Sequence, residues 1–387
     1  MTEKYAVGRF LDNVSLLIDS CAAVIVRSMV PCAMKGDESS RDGPFRESKV
    51  LKASVPAKRG YLMRAMQAHR FGGPEQLTMA EVAEPEPPAG QVRVAVRSAG
   101  VNPADLARLS GLFRGIQLPY IPGTDVCGEI DAVGAGVSAS RVGERVYGRA
   151  LTGGYAEKTC LLAAEAIPLP SNLSFFEGGG IPIPFFTAYH ALHRKASLKR
   201  GESVLISGGG GGVGVAAIQL AKIIGARVIT TAGSREKCDG VMRLGADVAV
   251  NYREQDFVEE AKRFTSGAGV DVIVENVAGD NFARDFDAIS SFGRIVIVGT
   301  GTRGSAEAKF NTYSCLTKDV TILGMSLVNA GSHVPEMGAS LNQLFEQKKL
   351  KVLISKSYSL SQAGEALRDL LAGRVFGKLV LDLTEVR

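Results

Sequence analysis

Between residues 201 and 222 the chain reads GESVLISGGGGGVGVAAIQLAK, and this stretch leaves little freedom of fold. Residues 203–207 form a short apolar run with β-branched members, the mark of a buried strand. Five glycines follow at 208–212, then Val213 and Gly214. From Val213 to Ile224 nearly every residue is apolar or a good helix former, and Gly225 supplies a C-terminal stop. Strand, glycine turn and helix make the first half of a βαβ unit. Gly209, Gly211 and Gly214 fit the spacing G-x-G-x-x-G. There the first glycine permits the tight turn, the second lets a pyrophosphate approach the backbone, and the third lets helix and strand pack closely. Free N–H groups at the helix start, with the helix dipole behind them, favour an anion. In a chain with 45 glycines among 387 residues, a merely flexible turn is the plain alternative. The flanking strand and helix favour a nucleotide.

The next strand, residues 227–231, indicates which nucleotide. An NAD site places an acid about 20 residues beyond the glycines, on the ribose 2′-OH. This chain has Thr231, Ala232, Gly233, Ser234, Arg235, Glu236 and Lys237 there. A hydroxyl and two cations suit a 2′-phosphate, so the pattern favours NADP(H) over NAD(H). Glu236, and the ordinary basic first turn of a surface helix, weigh against it.

The rest of the chain divides around this unit. Gln91 to Ser98 alternates apolar and polar residues as a half-buried strand does, and residues 123–136 and 145–147 supply further short strands. Residues 175–196 suggest a helix around Pro182 and Pro184. From about 191 to 330 strand and helix patterns alternate: strands at 248–251, 270–275, 294–298 and 321–323, helices at 254–264 and 282–290. Such alternation predicts a doubly wound parallel sheet covered on both faces. Residues 377–381 suggest an edge strand. The expected division is an N-terminal extension at 1–62, a mostly-β domain at 63–190, a Rossmann domain at 191–330, and the C-terminal part of the β domain at 331–387.

The extension is expected to be disordered. Its apolar run at 14–30 contains Asp19 and Arg27, too short and too interrupted for a membrane span. Its acids argue against an organelle transit peptide without excluding targeting. Met63 and Met66 stand where the globular pattern begins, and a natural start near them would explain a leader without a folded role. The six cysteines form no C-x-x-C pair, so neither a disulfide framework nor a structural zinc is indicated, and a cytoplasmic location is expected. A net charge of +5 with scattered basic residues does not call for nucleic acid.

Several stretches carry a resemblance: SAGVNPADLARLSGLF (98–113), PYIPGTDVCGEI (119–130), GGYAE (153–157), IPFFTAYHAL (183–192), the glycine segment, and VGTGT (298–302). From about Met66 to Leu383 the chain resembles the zinc-free quinone oxidoreductases of the medium-chain dehydrogenase/reductase superfamily, and is most similar to the zeta-crystallin type. The resemblance implies a GroES-like catalytic domain interrupted by a Rossmann domain, an active site in the cleft between them, and homodimers or homotetramers. It implies NADPH contacts at Gly210, Gly211, Gly212 and Val213, and at Gly233, Lys237 and Tyr252 around the ribose phosphate. Asn281, Val298, Gly299 and Thr300 follow, with Met325, Ser326 and Leu327 beside the nicotinamide, and Lys378 also counts as a cofactor residue. Asn102 and Thr187 match positions facing nicotinamide and substrate. Two departures matter. Zinc alcohol dehydrogenases have a Cys ligand where this chain has Val101, Asn102 and Pro103, and a His-Glu pair where it has Thr124 and Asp125. Nearby Cys127 alone cannot hold zinc. Zeta-crystallin types often have Tyr where this chain has Phe113, which leaves a more apolar pocket wall suited to a planar quinone.

The implied chemistry is hydride transfer from nicotinamide C4 to a quinone, which needs little acid help. Asn102 is a candidate for hydrogen bonding to the acceptor or the cofactor ribose, or else a turn former before Pro103. Thr187 is equally a core hydroxyl. His190 and His193 read as ordinary helix residues, not as metal ligands. A second enzymatic reading is an enone or enoyl-thioester reductase, against which Phe113 speaks, since the thioester type relies on Tyr. A third is a non-catalytic RNA-binding or structural protein, for which no recognition signature is present.

Overall fold

The computed structural model describes residues 61–113, 115–150, 153–279, 281–299 and 307–384. Most of the expected extension, residues 1–60, and Thr300 lie outside the described residues.

The chain opens with an antiparallel hairpin, β1 (Leu62–Ala68) and β2 (Leu77–Ala83). Met63 and Met66 both lie in β1 with buried side chains. A first run of strands then builds one sheet: β3 (Gln91–Val101), β4 (Asp125–Val133), β5 (Arg145–Arg149), β6 (Lys158–Leu162) and β7 (Ile167–Pro168). The alternation in β3 is the pattern of a sheet with one packed face, and Val92, Val94 and Val96 point into the core.

A second run builds a parallel sheet: β8 (Ser203–Ile206), β9 (Arg227–Ala232), β10 (Val248–Asn251), β11 (Val270–Glu275), β12 (Ile289–Ile297) and β13 (Thr321–Gly324). Its order is β10-β9-β8-β11-β12-β13, with every pairing parallel. The strand order reverses beside β8, which puts a crevice at the carboxyl ends of β8 and β11, where doubly wound sheets bind ligands. The chain then returns to the first sheet with β14 (Ile354–Ser359) and β15 (Lys378–Asp382), completing the order β14-β15-β3-β4-β5-β7, with β6 also paired to β3.

The helix expected over 282–290 ends at Ala288, where the strand expected at 294–298 already begins, and three further sequence expectations change. β15 is an interior strand: β14 pairs with it in parallel and β3 antiparallel, and Lys378, Leu379, Val380 and Leu381 are all buried. β14, whose polar ISKSYS gives no apolar signal, is what covers that edge. The helix expected over 175–196 is broken into a turn at Phe175–Gly178, a helix at Pro182–Tyr189 and a π-helical turn at His190–Lys195. Ser174 and Glu177 form a capping box on the first piece. Pro182 and Pro184 then sit in the first turn of the second, where a missing N–H costs nothing. The helix expected from Glu254 begins at Phe257, because the Asp256 carboxylate accepts from the Val258 N–H at 2.8 Å and caps it.

One hydrophobic cluster runs from Cys127 and Tyr147 of the first sheet through Phe185 and Phe186 to Val204 and Ile206 of the second. Phe185 meets Phe345 edge to face at 5.1 Å. The helix Pro182–Tyr189 is therefore the packed wall between the two lobes.

Candidate active site

The glycine turn is built from backbone, and its glycines differ in kind. Gly208 alone of the five has a left-handed backbone, φ +65, so the tight turn falls there and not at Gly209. A Cβ on Gly209 would stand 2.0 Å from Thr230 Oγ1, and one on Gly214 would stand 2.5 Å from Gly208 O. These two are needed for strand and helix to touch. A Cβ on Gly211 would meet nothing closer than 3.5 Å, so nothing among the described residues demands a glycine there. The helix Gly212–Ile224 starts with no side-chain cap and no acid in its first turn. The first-turn N–H groups of Gly212, Val213 and Gly214 thus have no partner in the helix, and its positive end is left for an anion.

The basic end lies past β9. Ser234 caps the helix Arg235–Arg243, its hydroxyl accepting from the Lys237 N–H at 3.3 Å. A Cβ on Gly233 would stand 2.5 Å from the Tyr252 hydroxyl, so Gly233 lets Tyr252 close over the strand end. Lys237 Nζ donates to Gly373 O at 2.6 Å. Burial holds the Lys237 ammonium below its ordinary pKa, and the nearby charge of Arg253 lowers it further. Arg253 is a cation the sequence reading missed, although it directly follows Tyr252. An anion placed among these cations would relieve both effects.

The facing lobe contributes buried side chains. Lys378, at the start of β15, lies beneath the turn: its Cδ is 3.4 Å from where a Gly212 Cβ would be. Its ammonium donates to Val101 O at 2.9 Å and Asn102 Oδ1 at 2.5 Å, and pairs with Asp125 Oδ2 at 3.1 Å, using all three protons. Asn102 Nδ2 donates to the same Asp125 oxygen at 2.9 Å. The other Asp125 oxygen accepts from the Ile183 N–H at 2.8 Å, at the N-terminus of the helix Pro182–Tyr189. Asn102, Asp125 and Lys378 are 2%, 0% and 5% exposed. Asn102 is thus the hinge of an internal cluster and also caps the helix Pro103–Leu109 with Asp105, rather than an amide standing open to a substrate. Buried Asp105 accepts from the Tyr155 hydroxyl at 3.0 Å, and burial raises its pKa to about 6. Thr187 is buried on the same interlobe helix as Ile183.

Backbone ties join the two sides: the Gly377 N–H donates to Gly210 O at 2.8 Å, and Arg149 Nη1 donates to Leu327 O at 2.8 Å. Arg149, which the sequence reading did not single out, is itself paired with Glu165 at 2.9 Å, so the segment Met325, Ser326 and Leu327 is held from the first sheet. Beside that segment a cavity of about 710 Å³ is lined by His190, His193, Arg194 and His333. Val298 and Gly299 both donate to Glu275 O, at 2.9 and 3.2 Å, at the ends of β12 and β11. Asn281 precedes the helix Phe282–Ala288 and makes no side-chain cap. Phe113 is 48% exposed, with the Arg108 guanidinium 5.5 Å from its ring centre.

Two family models match the chain: an alcohol dehydrogenase GroES-like domain over residues 88–171 and a zinc-binding dehydrogenase domain over residues 212–344. The human quinone oxidoreductase is 37% identical over 325 residues, covering 83% of this chain and 98% of the relative. The chain belongs to the quinone oxidoreductase family. Among solved structures, the Escherichia coli quinone oxidoreductase complexed with NADPH matches with a TM-score of 0.78 and 28% identity, over 82% of this chain and 99% of that one. An NAD-dependent alcohol dehydrogenase matches with a TM-score of 0.76 and 33% identity, over 83% and 100%.

One of the matching models is named for zinc, and the donors of this family member do not fit that metal. Asp125 is committed to Lys378, Asn102 and Ile183 N–H. Burial pushes the Cys127 thiol pKa up, and its sulfur is packed against the interlobe segment, where a Cβ on Gly178 would stand 2.2 Å away. Zinc needs donors converging on one point, and here a lysine ammonium is bonded to both Asn102 and Asp125. Among the described residues no group of three His, Cys, Asp or Glu is placed to hold a metal.

Proposed function

We propose that this protein is an NADPH-dependent quinone oxidoreductase that reduces quinones or similar conjugated carbonyls without zinc. The observation that supports it most is the uncapped start of the helix Gly212–Ile224, opening opposite the Lys378–Asp125–Asn102 cluster. The structural relatives complexed with NADPH support the cofactor. Gly210, Gly211, Gly212 and Val213 are the pyrophosphate contacts in this reading. Ser234, Arg235, Lys237, Tyr252 and the added Arg253 surround the 2′-phosphate. Val298, Gly299, Met325, Ser326 and Leu327 line the nicotinamide half. Once bound, the cofactor supplies the hydride from its nicotinamide C4.

The chain contributes orientation and a dry surface. Lys378 leaves Asp125 no uncompensated charge, so the floor of the cleft is polar yet internally neutral. Asn102 and Lys378 act in this reading by fixing the strand ends against the glycine turn. Thr187 and the interlobe helix wall off water. A quinone suits such a floor, because its reduced oxygens are stabilised by delocalisation and take protons from solvent. The enone and non-catalytic readings are not favoured beside relatives named as quinone oxidoreductases.

The test is turnover of the purified protein with 9,10-phenanthrenequinone in the presence of a zinc chelator. Rapid oxidation of NADPH is expected. Consumption only with an enoyl thioester, or activity lost to the chelator, would reject the reading.

The place of β13 at the end of the sheet among the described residues, and the exposed Phe292, Tyr313 and Leu316, support self-association as a dimer or tetramer, which light scattering would measure. The four described cysteines are unpaired, which supports a reducing, cytoplasmic location. No helix among the described residues is long and apolar enough to cross a membrane.

A further inference from the structure

Glu275 ends β11 at the crevice and is fully buried. Its Oε1 accepts three bonds: from Ser207 Oγ at 2.7 Å, Val277 N–H at 2.5 Å and Ala278 N–H at 2.6 Å. Ser207 is the residue before the glycine turn, and its hydroxyl also accepts from the Asn276 N–H at 2.7 Å. Val277 lies against the turn itself, 3.6 Å from where a Gly208 Cβ would stand. Ala278 has a left-handed backbone, φ +50, which a non-glycine residue keeps only when its surroundings hold it. One carboxylate oxygen therefore fastens the ends of β8 and β11 together and holds a strained turn.

The other oxygen, Glu275 Oε2, is buried and has no donor. On the helix Phe282–Ala288, both oxygens of Asp285 are buried without a donor too. Three acceptor atoms of two interacting carboxyl groups thus have no donor among the described residues. Two ionised carboxylates cannot share such a place. The geometry also says which is the acid, since Glu275 Oε1 takes three donors and Asp285 takes none. Other charges on the neighbouring elements face elsewhere. Arg284 pairs with Asp256, Lys318 Nζ donates to Phe286 O and Ile289 O, and among the described residues Glu275 is the one ionisable group acting on Asp285.

We propose that Asp285 is a neutral carboxylic acid donating its proton to Glu275 Oε2, and that this shared proton makes Glu275 the positioning residue for the cofactor crevice. Asp285 touches no cofactor in this arrangement; it acts through Glu275. Burial first, and then the Glu275 charge, raise its pKa to about 9 from 3.8, in agreement with the geometry. An acid whose pKa is higher folded than unfolded binds more protons in the native state. Stability on this account declines as pH climbs from 3.8 towards about 9 and is level above.

The proposal rests on reading the cleft as an NADPH site, and the experiment separates the two. Infrared spectroscopy of the whole protein is expected to show a carboxylic-acid carbonyl band near neutral pH that shifts in deuterium oxide and is missing from Asp285→Asn. Asparagine can donate as the acid does but cannot ionise, so this variant is also expected to lose the decline in stability with pH. Asp285→Ala should weaken NADPH binding roughly tenfold, by freeing Glu275 Oε2, and Asp285→Asn should restore it. If the alanine variant does not fold, the band and the stability profile of the asparagine variant still decide. Absence of the band, an asparagine profile that parallels the wild type, or a soluble asparagine variant binding as poorly as alanine would overturn the proposal. Failure of the wild type to bind NADPH would reject the cofactor reading, while the band tests the proton independently.

Discussion

The two walls of the cleft are made of different material. The parallel-sheet wall presents bare backbone, the glycine turn and the uncapped N–H groups behind it. The wall opposite presents buried, mutually satisfied side chains, with Lys378 bound to Val101, Asn102 and Asp125. Backbone can bind a pyrophosphate without adjustment, and it is sensitive to any added atom. The side-chain wall carries its own countercharge, and it is sensitive to the removal of one partner. Damage to the two walls should therefore look different: lost stability on the side-chain wall, and on the backbone wall lost affinity wherever the added atom meets open space.

The largest effect is expected from the side-chain wall. Lys378→Met leaves the Asp125 carboxylate buried and unpaired, and should cost about 3–5 kcal/mol in denaturant unfolding. Adding Asp125→Asn should recover much of that loss. A single variant as stable as the wild type would break the contrast. Next come two glycines on the backbone wall. Gly209→Ala drives a methyl onto Thr230 Oγ1, which is held by Ile206 O at 2.7 Å, and should cost about 1–3 kcal/mol of stability. Gly211→Ala adds a methyl to open space, so its melting temperature should hardly move while NADPH affinity falls at least about tenfold. Equal behaviour of the two variants would show that the turn is only a turn. The smallest effect belongs to Phe113. Phe113→Ala removes an exposed ring from Arg108 and should cost less than about 1 kcal/mol of stability. A raised KM for the quinone with unchanged NADPH affinity would place Phe113 in the acceptor pocket.

The same contrast decides what could be read from the sequence. The backbone wall is a contiguous stretch, so strand, turn and helix were visible together, although the turn falls at Gly208 and not at Gly209. The side-chain wall is scattered: Lys378 meets Asn102 across 276 positions. In the sequence Asn102 stands out mostly through family resemblance, as an amide for the acceptor or the cofactor ribose or else a turn former before Pro103. Its bonds to Lys378 and Asp125 depend on β15 lying next to β3, and β15 seemed an edge strand because β14 carries a polar pattern. Arg253 is remote in sequence from the residues after β9, and only the pairing of β10 with β9 brings it beside Lys237. Glu275 and Asp285 are ten residues apart and look like surface acids in a chain with 40 of them. Only their burial without donors sets them apart.

If a dinucleotide bearing a 2′-phosphate lies along the backbone wall, with its phosphate among Ser234, Lys237, Tyr252 and Arg253, the dissociation constants of NADPH and NADH will show it, measured by fluorescence titration for the wild type and for Lys237→Ala. The wild type should prefer NADPH, and the variant should lose roughly 1.5–3 kcal/mol for NADPH while NADH changes little. Equal losses for the two cofactors, or a wild type that prefers NADH, would contradict the account.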